Sequence, residues 1–307
     1  MDSLRDRTAF ITGGASGIGL GMAQAFLGAG MRVVIADLRS AAIADALATL
    51  EAGDRAHAIQ LDVTDRGALA AAADEAERVF GPVHLLCNNA GVGMLGALES
   101  MTYDDWDWCF AVNLGGVING IQTFLPRMRA HRQGGHVVNT SSVGALTPGP
   151  GGAAYLSAKA AIIVLSECLR IELAEQGIGV SVLIPGPTRT EINRVGELRP
   201  NRYRDSGLRE IEARLAQRPL FDGGLDPNEV GAMVLEGVRR NDLFVLTHNE
   251  FREGVAQRCE AILSSFPTGP VDRERGESFG FPLVNPMYGE IVRRNLLRGD
   301  PAAPEES

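Results

Sequence analysis

Seven short apolar runs, each followed by an amphipathic stretch, constrain this chain more than any other feature. The runs are Thr8–Thr12, Arg32–Asp37, Ala56–Asp62, Val83–Asn88, His136–Ser141, Gly179–Ile184 and Leu243–Thr247. They are rich in Val, Ile and Leu and nearly continuous in apolar character. Strands covered by helices on both faces read this way. Between them lie Ala-rich stretches such as Ser40–Ala52, Arg66–Phe80, Tyr103–Arg132 and Ala154–Gln176. Repeated βα units predict an α/β fold: a doubly wound parallel sheet of about seven strands with helices on both faces. Of the 307 residues 45% are hydrophobic, enough for one large core. Residues 1–265 are expected to form a single domain. Residues 187–226 read as a Gly-, Pro- and Arg-rich insert with a helix near Gly207–Gln217. Asp226-Pro227-Asn228-Glu229 then reads as a helix start, with Asp as N-cap, Pro in the first turn and Glu at the third position. Another helix is expected over Asn249–Phe266. Residues 266–307 read as a tail, in which Phe279, Phe281, Met287 and Tyr288 are candidates for docking on an apolar surface.

Several function classes conflict with the composition. A net charge of −9 argues against a nucleic-acid binder, which needs a basic face. The basic cluster Arg199–Arg209 is interleaved with acids and reads as a solvated loop. No uninterrupted apolar run approaches the roughly 20 residues of a membrane span. Cys87, Cys109, Cys168 and Cys259 show no paired spacing, which suits reduced thiols in a cytoplasmic protein. The histidines have no metal-ligand spacing, so a metal-centred mechanism is not expected.

Three local patterns carry chemistry. The first is Thr12-Gly13-Gly14-Ala15-Ser16-Gly17-Ile18-Gly19, between the first strand and the first helix. Glycines at such a turn let the backbone approach a pyrophosphate, and the helix N-terminus offers free N–H groups. With 37 glycines in the chain the triple is weak by itself, and its position gives it weight. The second is Asp37 at the end of strand two. A carboxylate there suits both ribose hydroxyls of NAD and repels the 2′-phosphate of NADP, although Arg39 two residues on is able to reach a phosphate. The third involves the single lysine among 29 cationic residues, Lys159. It stands four residues after Tyr155, so a helix brings the two side chains to one face. A phenol titrates near pH 10, and a nearby ammonium is expected to lower that value. Arg, with a rigid planar fork, is a poor substitute in that role. Ser141 and Ser142 end the fifth strand, where a hydroxyl faces the ligand crevice, and side-chain chemistry alone does not choose between them.

With Asp62-Val63, Asn88-Asn89-Ala90-Gly91, Asn113 and Pro185-Gly186, these motifs resemble the short-chain dehydrogenases/reductases over roughly residues 4–265. The resemblance implies a Rossmann-like fold and NAD, with NADP as the alternative cofactor. It implies Tyr155 as general acid–base, Lys159 as the residue that tunes it and holds the nicotinamide ribose, and Ser142 as the substrate-oxygen ligand. Asn113 matches the helix residue that positions a water in the proton relay. Gly13, Ser16, Gly17, Ile18 and Gly19 match the phosphate turn. Asp62 and Val63 match the adenine contacts, Asn89, Ala90 and Gly91 the wall beside the cofactor, and Thr188, after Pro185 and Gly186, the carboxamide contact. It also implies a homodimer or homotetramer paired through the helices of Tyr103–Arg132 and Ala154–Gln176.

Tyr103-Asp104-Asp105-Trp106-Asp107-Trp108, Asn113-Leu114-x2-Val117-Ile118-Asn119-Gly120, Leu198-Arg199-Pro200-x2-Tyr203 and the long C-terminal part are similar to the bacterial Cα-dehydrogenases of lignin-type aryl ether dimers. Related reductases of bulky ketones look alike too. Val92, Met94, Leu95, Gly144, Leu146, Pro148 and Gly149 are expected to border an apolar pocket, with residues 187–226 as its lid. The substrate is then a bulky hydrophobic secondary alcohol or its ketone. Steroid or acyl-type carbonyls with NADP are an alternative, and an NAD-sensing regulator without catalysis is a distant one.

Overall fold

The computed structural model describes residues 4–217, 221–280 and 283–298. Seven parallel strands form one sheet: β1 (Thr8–Thr12), β2 (Arg32–Asp37), β3 (Ala56–Gln60), β4 (Val83–Asn88), β5 (Gly135–Thr140), β6 (Ile178–Ile184) and β7 (Phe244–Leu246). Their order is β3-β2-β1-β4-β5-β6-β7. The chain winds outward from β1 in one direction, then returns to add β4 on its other side. That reversal opens a crevice at the carboxyl ends of β1 and β4, the usual ligand position in such sheets.

Strand alternation builds the two layers. Phe10, Val34 and Ala36 point to the core shared with Phe124 and Ile121 of α5 (Gly116–His131) and Ile162 of α6 (Ala153–Glu172). Ala9, Ile11, Val33 and Ile35 point the other way. They meet Met22 and Phe26 of α1 (Gly17–Gly28) and Val230 and Val234 of α8 (Pro227–Arg240). The predicted start of α8 holds: Asp226 accepts from Asn228 N–H at 2.8 Å, and Glu229 accepts from Asp226 N–H at 3.2 Å. The remaining helices of this layer system are α2 (Ser40–Leu50), α3 (Arg66–Phe80), α4 (Tyr103–Phe110) and α7 (Arg209–Ala216).

Several boundaries differ from expectation. β3 stops at Gln60, before Asp62, and β5 stops at Thr140, so Ser142 stands beyond the strand as the cap of a short turn, Val143–Ala145. The stretch Tyr103–Arg132 is not uniform, because Ala111–Gly115 forms a wider π turn between α4 and α5. By length and composition Tyr103–His131 is apolar enough to cross a membrane, but half of its apolar window is buried. Moderately apolar residues, rather than an unbroken run, produce that score. Asn249–Phe251 is a 3-10 turn preceding α9 (Arg252–Ser264).

The insert of residues 187–226 is closed at its base. Arg189 N–H donates to Leu225 O and Leu225 N–H to Pro187 O, both at 3.0 Å. Compact units cover Met1–Glu253 and Gly254–Ser307. The tail is more regular than expected. It holds α10 (Arg273–Ser278), capped by Asp272, and α11 (Pro286–Arg298). Local caps and a proline in the first turn of α11 suffice to start these helices. Phe279 and Tyr288 are half exposed, and Phe281 lies outside the described residues.

Two buried histidines brace the sheet. Thr8 pairs with Val83 but Ala9 with Leu85, so His84 is an extra residue, and its Nδ1 accepts the Thr8 N–H at 3.3 Å. His136, at the start of β5, lies 2.8 Å from Ser181 Oγ on β6. Burial lowers the pKa of His84 and pushes His136 down to about 3. The unfolded chain therefore binds protons that the folded chain refuses between pH 6.5 and about 3. Stability is fully present above pH 6.5 and falls with acidification, at up to roughly 1.4 kcal/mol per pH unit for His136. Thermal melts from pH 7.5 to 5 should show this fall, and His136→Asn should flatten it. A variant slope equal to the native one would remove His136 as the cause.

Candidate active site

A cleft of about 420 Å³ opens at the crevice between β1 and β4. Its floor is tied by Thr12. The Thr12 hydroxyl donates to Cys87 O at 3.3 Å and accepts from Asn89 N–H at 2.9 Å and Ala90 N–H at 3.1 Å. The Asn89 amide donates to Thr12 O and Gly13 O, and its oxygen accepts from the Thr140 hydroxyl. Three strand ends thus converge on one side chain. Asn89, Ala90 and Gly91 line the cleft above it.

The glycine turn fits a phosphate group. Gly13 has φ +62°, and a Cβ on it would come 2.9 Å from Ala90 Cα. A Cβ on Gly19 would meet Gly13 O at 2.0 Å, so Gly19 lets α1 start against the turn without itself lining the cleft. Ser16 sits at the N-cap position but does not cap α1. Its hydroxyl instead accepts from Arg39 Nη2 at 2.6 Å. The first-turn amides of α1 keep no side-chain acceptor, which is what an anion requires. Gly13, Ser16, Gly17 and Ile18 all face the cleft.

Asp37 is buried at the end of β2 and lines the cleft. It accepts from Ala15 N–H at 3.3 Å and from Arg39 N–H at 3.1 Å, and pairs with Arg39 Nε at 3.3 Å. Arg39 also reaches Glu191 of the insert at 3.3 Å. Its guanidinium is held by two carboxylates and a hydroxyl. Further along, Asp62 accepts from Thr64 and pairs with Arg202 at 3.4 Å, with Val63 beside it. Pro185, Gly186 and Thr188 line the opposite wall, where the Thr188 hydroxyl donates to Gly186 O at 3.1 Å.

The candidate reactive side chains come from the turn after β5 and from α6. Lys159 is 3% exposed, and its Nζ donates to Thr140 O at 2.9 Å. Tyr155, one turn earlier on α6, is partly buried, with its ring centroid 5.6 Å from Lys159 Nζ. The Ser142 hydroxyl stands close enough to the Tyr155 phenol to draw its pKa down. The Ser141 hydroxyl turns away and donates to Lys159 O at 2.7 Å. The choice that side-chain chemistry left open between the two serines is made by this opposite orientation.

The expected effect of the ammonium on the phenol is not what the geometry produces. Burial pushes the Tyr155 phenol up to about 12, and the Ser142 hydrogen bond draws it down. Burial also pushes Lys159 down, to about 8. Desolvation outweighs pairing here, because the Lys159 proton is spent on a backbone carbonyl rather than aimed at the phenol oxygen.

Asn113 lies behind the cleft wall, within the π turn. Its amide donates to Val92 O and Cys109 O, both at 3.0 Å, and its oxygen accepts from Val92 N–H at 3.2 Å. Both amide protons are thus used and the oxygen accepts one bond, which fixes the side chain inside a widened turn of the kind often found at functional sites.

Val92, Met94 and Leu95 line the substrate end, as do Trp108, Ile192, Leu198 and Leu215. Gly144, Leu146, Pro148 and Gly149 do not. Leu146 packs into the core, and Pro148 and Gly149 are exposed where the chain turns outward after Thr147. The basic stretch Arg199–Arg209 is not wholly solvated either. Arg199 is buried between Asp105 and Glu212, an arrangement with only a local trace in sequence, the Thr102-x-x-Asp105 cap of α4.

A family model for the short chain dehydrogenases matches residues 7–199. A C alpha-dehydrogenase of Sphingobium is 44% identical over 98% of this chain and 99% of its own. A short chain dehydrogenase/reductase from Burkholderia phymatum, solved in complex with NAD, is 34% identical with a TM-score of 0.81. The match covers 89% of this chain and 100% of that one. The apo form of LigD from Sphingobium is 40% identical with a TM-score of 0.73, over 87% of this chain and 100% of that one. The chain belongs to the short-chain dehydrogenases and is an NAD(P)-dependent oxidoreductase that acts on an alcohol or its ketone.

Proposed function

We propose that this enzyme interconverts bulky, aryl-bearing secondary alcohols and their ketones, with NAD in preference to NADP. The observation that carries this reading is the meeting of Ser142, Tyr155 and Lys159 at the edge of a cleft whose far wall is Met94, Leu95, Trp108, Ile192, Leu198 and Leu215. Flat apolar groups gain by filling such a wall, whereas a small polyol would leave it dry and unfilled. The likeness to a C alpha-dehydrogenase supports the same substrate class.

When bound, the nicotinamide would supply the acceptor or donor of a hydride, which carries both electrons. Pyrophosphate suits the turn of Gly13, Ser16, Gly17 and Ile18. Asp62, Val63 and the wall of Asn89 to Gly91 suit the adenosine half, and Thr188 with Pro185 and Gly186 the other end. Ser142 holds the substrate oxygen. Tyr155 accepts its proton during oxidation and returns it during reduction. Lys159, locked by Thr140, holds the ribose side of the site. As the substrate oxygen becomes anionic, Ser142 and Tyr155 act as preset donors, which is where such sites gain most. Residues 187–226 serve as the lid, fastened to the nucleotide side by Arg39–Glu191 and Arg202–Asp62. Ile118 on α5 and Val164 and Ile171 on α6 leave apolar surface exposed, which supports pairing of subunits through these helices. All four cysteines are free, in keeping with a cytoplasmic enzyme.

Initial rates with both cofactors test the preference. The buried Asp37, holding Arg39, should favour NAD by at least about 10-fold in kcat/KM, since a phosphate there meets a carboxylate. Equal efficiency with NADP would overturn it. Tyr155→Phe should retain NAD binding by calorimetry and lose about 1000-fold in kcat. Lys159→Arg should lose at least about 100-fold, because a guanidinium does not fit the Thr140 seat. Wild-type turnover by either variant removes its assigned role. Oxidation should accelerate with rising pH, since Tyr155 must be ionised to take the proton of the alcohol. Ser142→Ala removes the bond that lowers the phenol and should move the alkaline limb to higher pH. An unshifted limb would separate Ser142 from Tyr155.

A further inference from the structure

We propose that Glu212 is the recognition point for a hydroxyl, phenolic in the first instance, on the far end of the substrate. The inference rests on the aryl-alcohol reading of the cleft and adds to it which ring substituent is recognised. Glu212 stands on α7, within the insert, and lines the cleft with Leu198, Leu215 and Trp108. Its side chain is only 9% exposed. A carboxylate so placed needs a partner, and it has one in Arg199, whose side chain is 6% exposed. Arg199 Nη2 lies 2.5 Å from Glu212 Oε1 and 2.9 Å from Asp105 Oδ1. The guanidinium also lies over the Trp108 ring, 4.5 Å from its centroid.

One guanidinium therefore serves two carboxylates, and Glu212 is only half satisfied. Its Oε2 accepts no hydrogen bond among the described residues. Gly196 lies beside that oxygen, where a Cβ would come within 2.9 Å of it and crowd it. An acceptor with free lone pairs in an apolar cleft gains most from a donor that a ligand brings in. An ether or methyl group at the same place would desolvate the oxygen and leave it unmet. The same chemistry makes hydroxyl-binding pockets reject analogues that lack the hydroxyl. The neighbouring wall is apolar, so this one contact sets which substituted ring is preferred.

Two measurements keep this inference separate from the function on which it rests. The first is binding of 4-nitrophenol to the enzyme–NAD complex, followed by absorbance, because the neutral and ionised forms absorb differently. A carboxylate acceptor holds the phenol protonated. The bound probe should therefore show the neutral spectrum at a pH where the free probe is mostly ionised. Glu212→Gln keeps an oxygen toward Arg199 and places an N–H donor where Oε2 stood, so it should weaken binding about 10-fold and lose the spectral change. This readout needs no turnover. The second compares two 1-arylethanols that differ only in a 4-hydroxyl or a 4-methoxyl group. The native enzyme should favour the hydroxyl by about 10- to 100-fold in kcat/KM, and Glu212→Gln should bring the ratio to within about threefold of unity. An ionised bound probe, or equal turnover of both alcohols by the native enzyme, overturns the role of Glu212 without any variant. Turnover of neither alcohol, with the probe bound in neutral form, overturns the aryl-alcohol reading and upholds the hydroxyl site.

Discussion

The reversal of strand order between β1 and β4 is the constraint from which the site follows, and Thr12 is the side chain that secures it. Two parallel strands that diverge in connectivity leave backbone groups at their carboxyl ends with no ladder partner. The Thr12 hydroxyl meets three backbone groups there, Cys87 O and the amides of Asn89 and Ala90. Asn89 then returns two bonds to the backbone at Thr12 and Gly13. The glycine turn, the wall of the cleft and the end of β5 are all referenced to this node. These three strand ends keep their geometry because they are bonded to one another rather than only to what binds them.

Burial is the second determinant, and it acts against charge. Lys159 and Tyr155 share a helix face, yet each is pushed toward its neutral form by the surrounding core. The ammonium is retained by the Thr140 carbonyl, and the phenol is tuned by Ser142. The substrate end follows the same rule with a different outcome. There Arg199 is kept in an apolar wall by two carboxylates and the face of Trp108. A buried ion pair is weak evidence for stability, and losing one partner leaves an uncompensated buried charge. Here it joins the insert to α4.

Much of this was legible in one dimension. Nearly continuous apolar runs alternating with amphipathic stretches marked seven strands and most helices, because both faces of a parallel sheet must be covered. The cap Asp226-Pro227-x-Glu229 located α8 to the residue, since a capping box depends only on near neighbours. Boundaries were read less well where a contact distant in sequence decides them. β5 ends at Thr140 rather than Ser141, and the His84 bulge, set by pairing with β1, left no mark in the local pattern. The tail helices were missed because Gly, Pro and mixed charge mask their caps.

By itself the sequence determined the sheet, the phosphate turn and the Tyr155–Lys159 pair. These depend on residue order within a turn or two of helix, which local periodicity encodes. Tertiary structure alone decided that the Ser141 hydroxyl turns onto Lys159 O, that Arg39 is bound by Asp37, Ser16 and Glu191, and that Arg199 is buried against Asp105 and Glu212. It also decided the direction of the Tyr155 and Lys159 shifts. The physical reason is common to all of these. Desolvation and hydrogen-bond direction are properties of what surrounds a group in space, and those neighbours come from segments of the chain far apart in sequence.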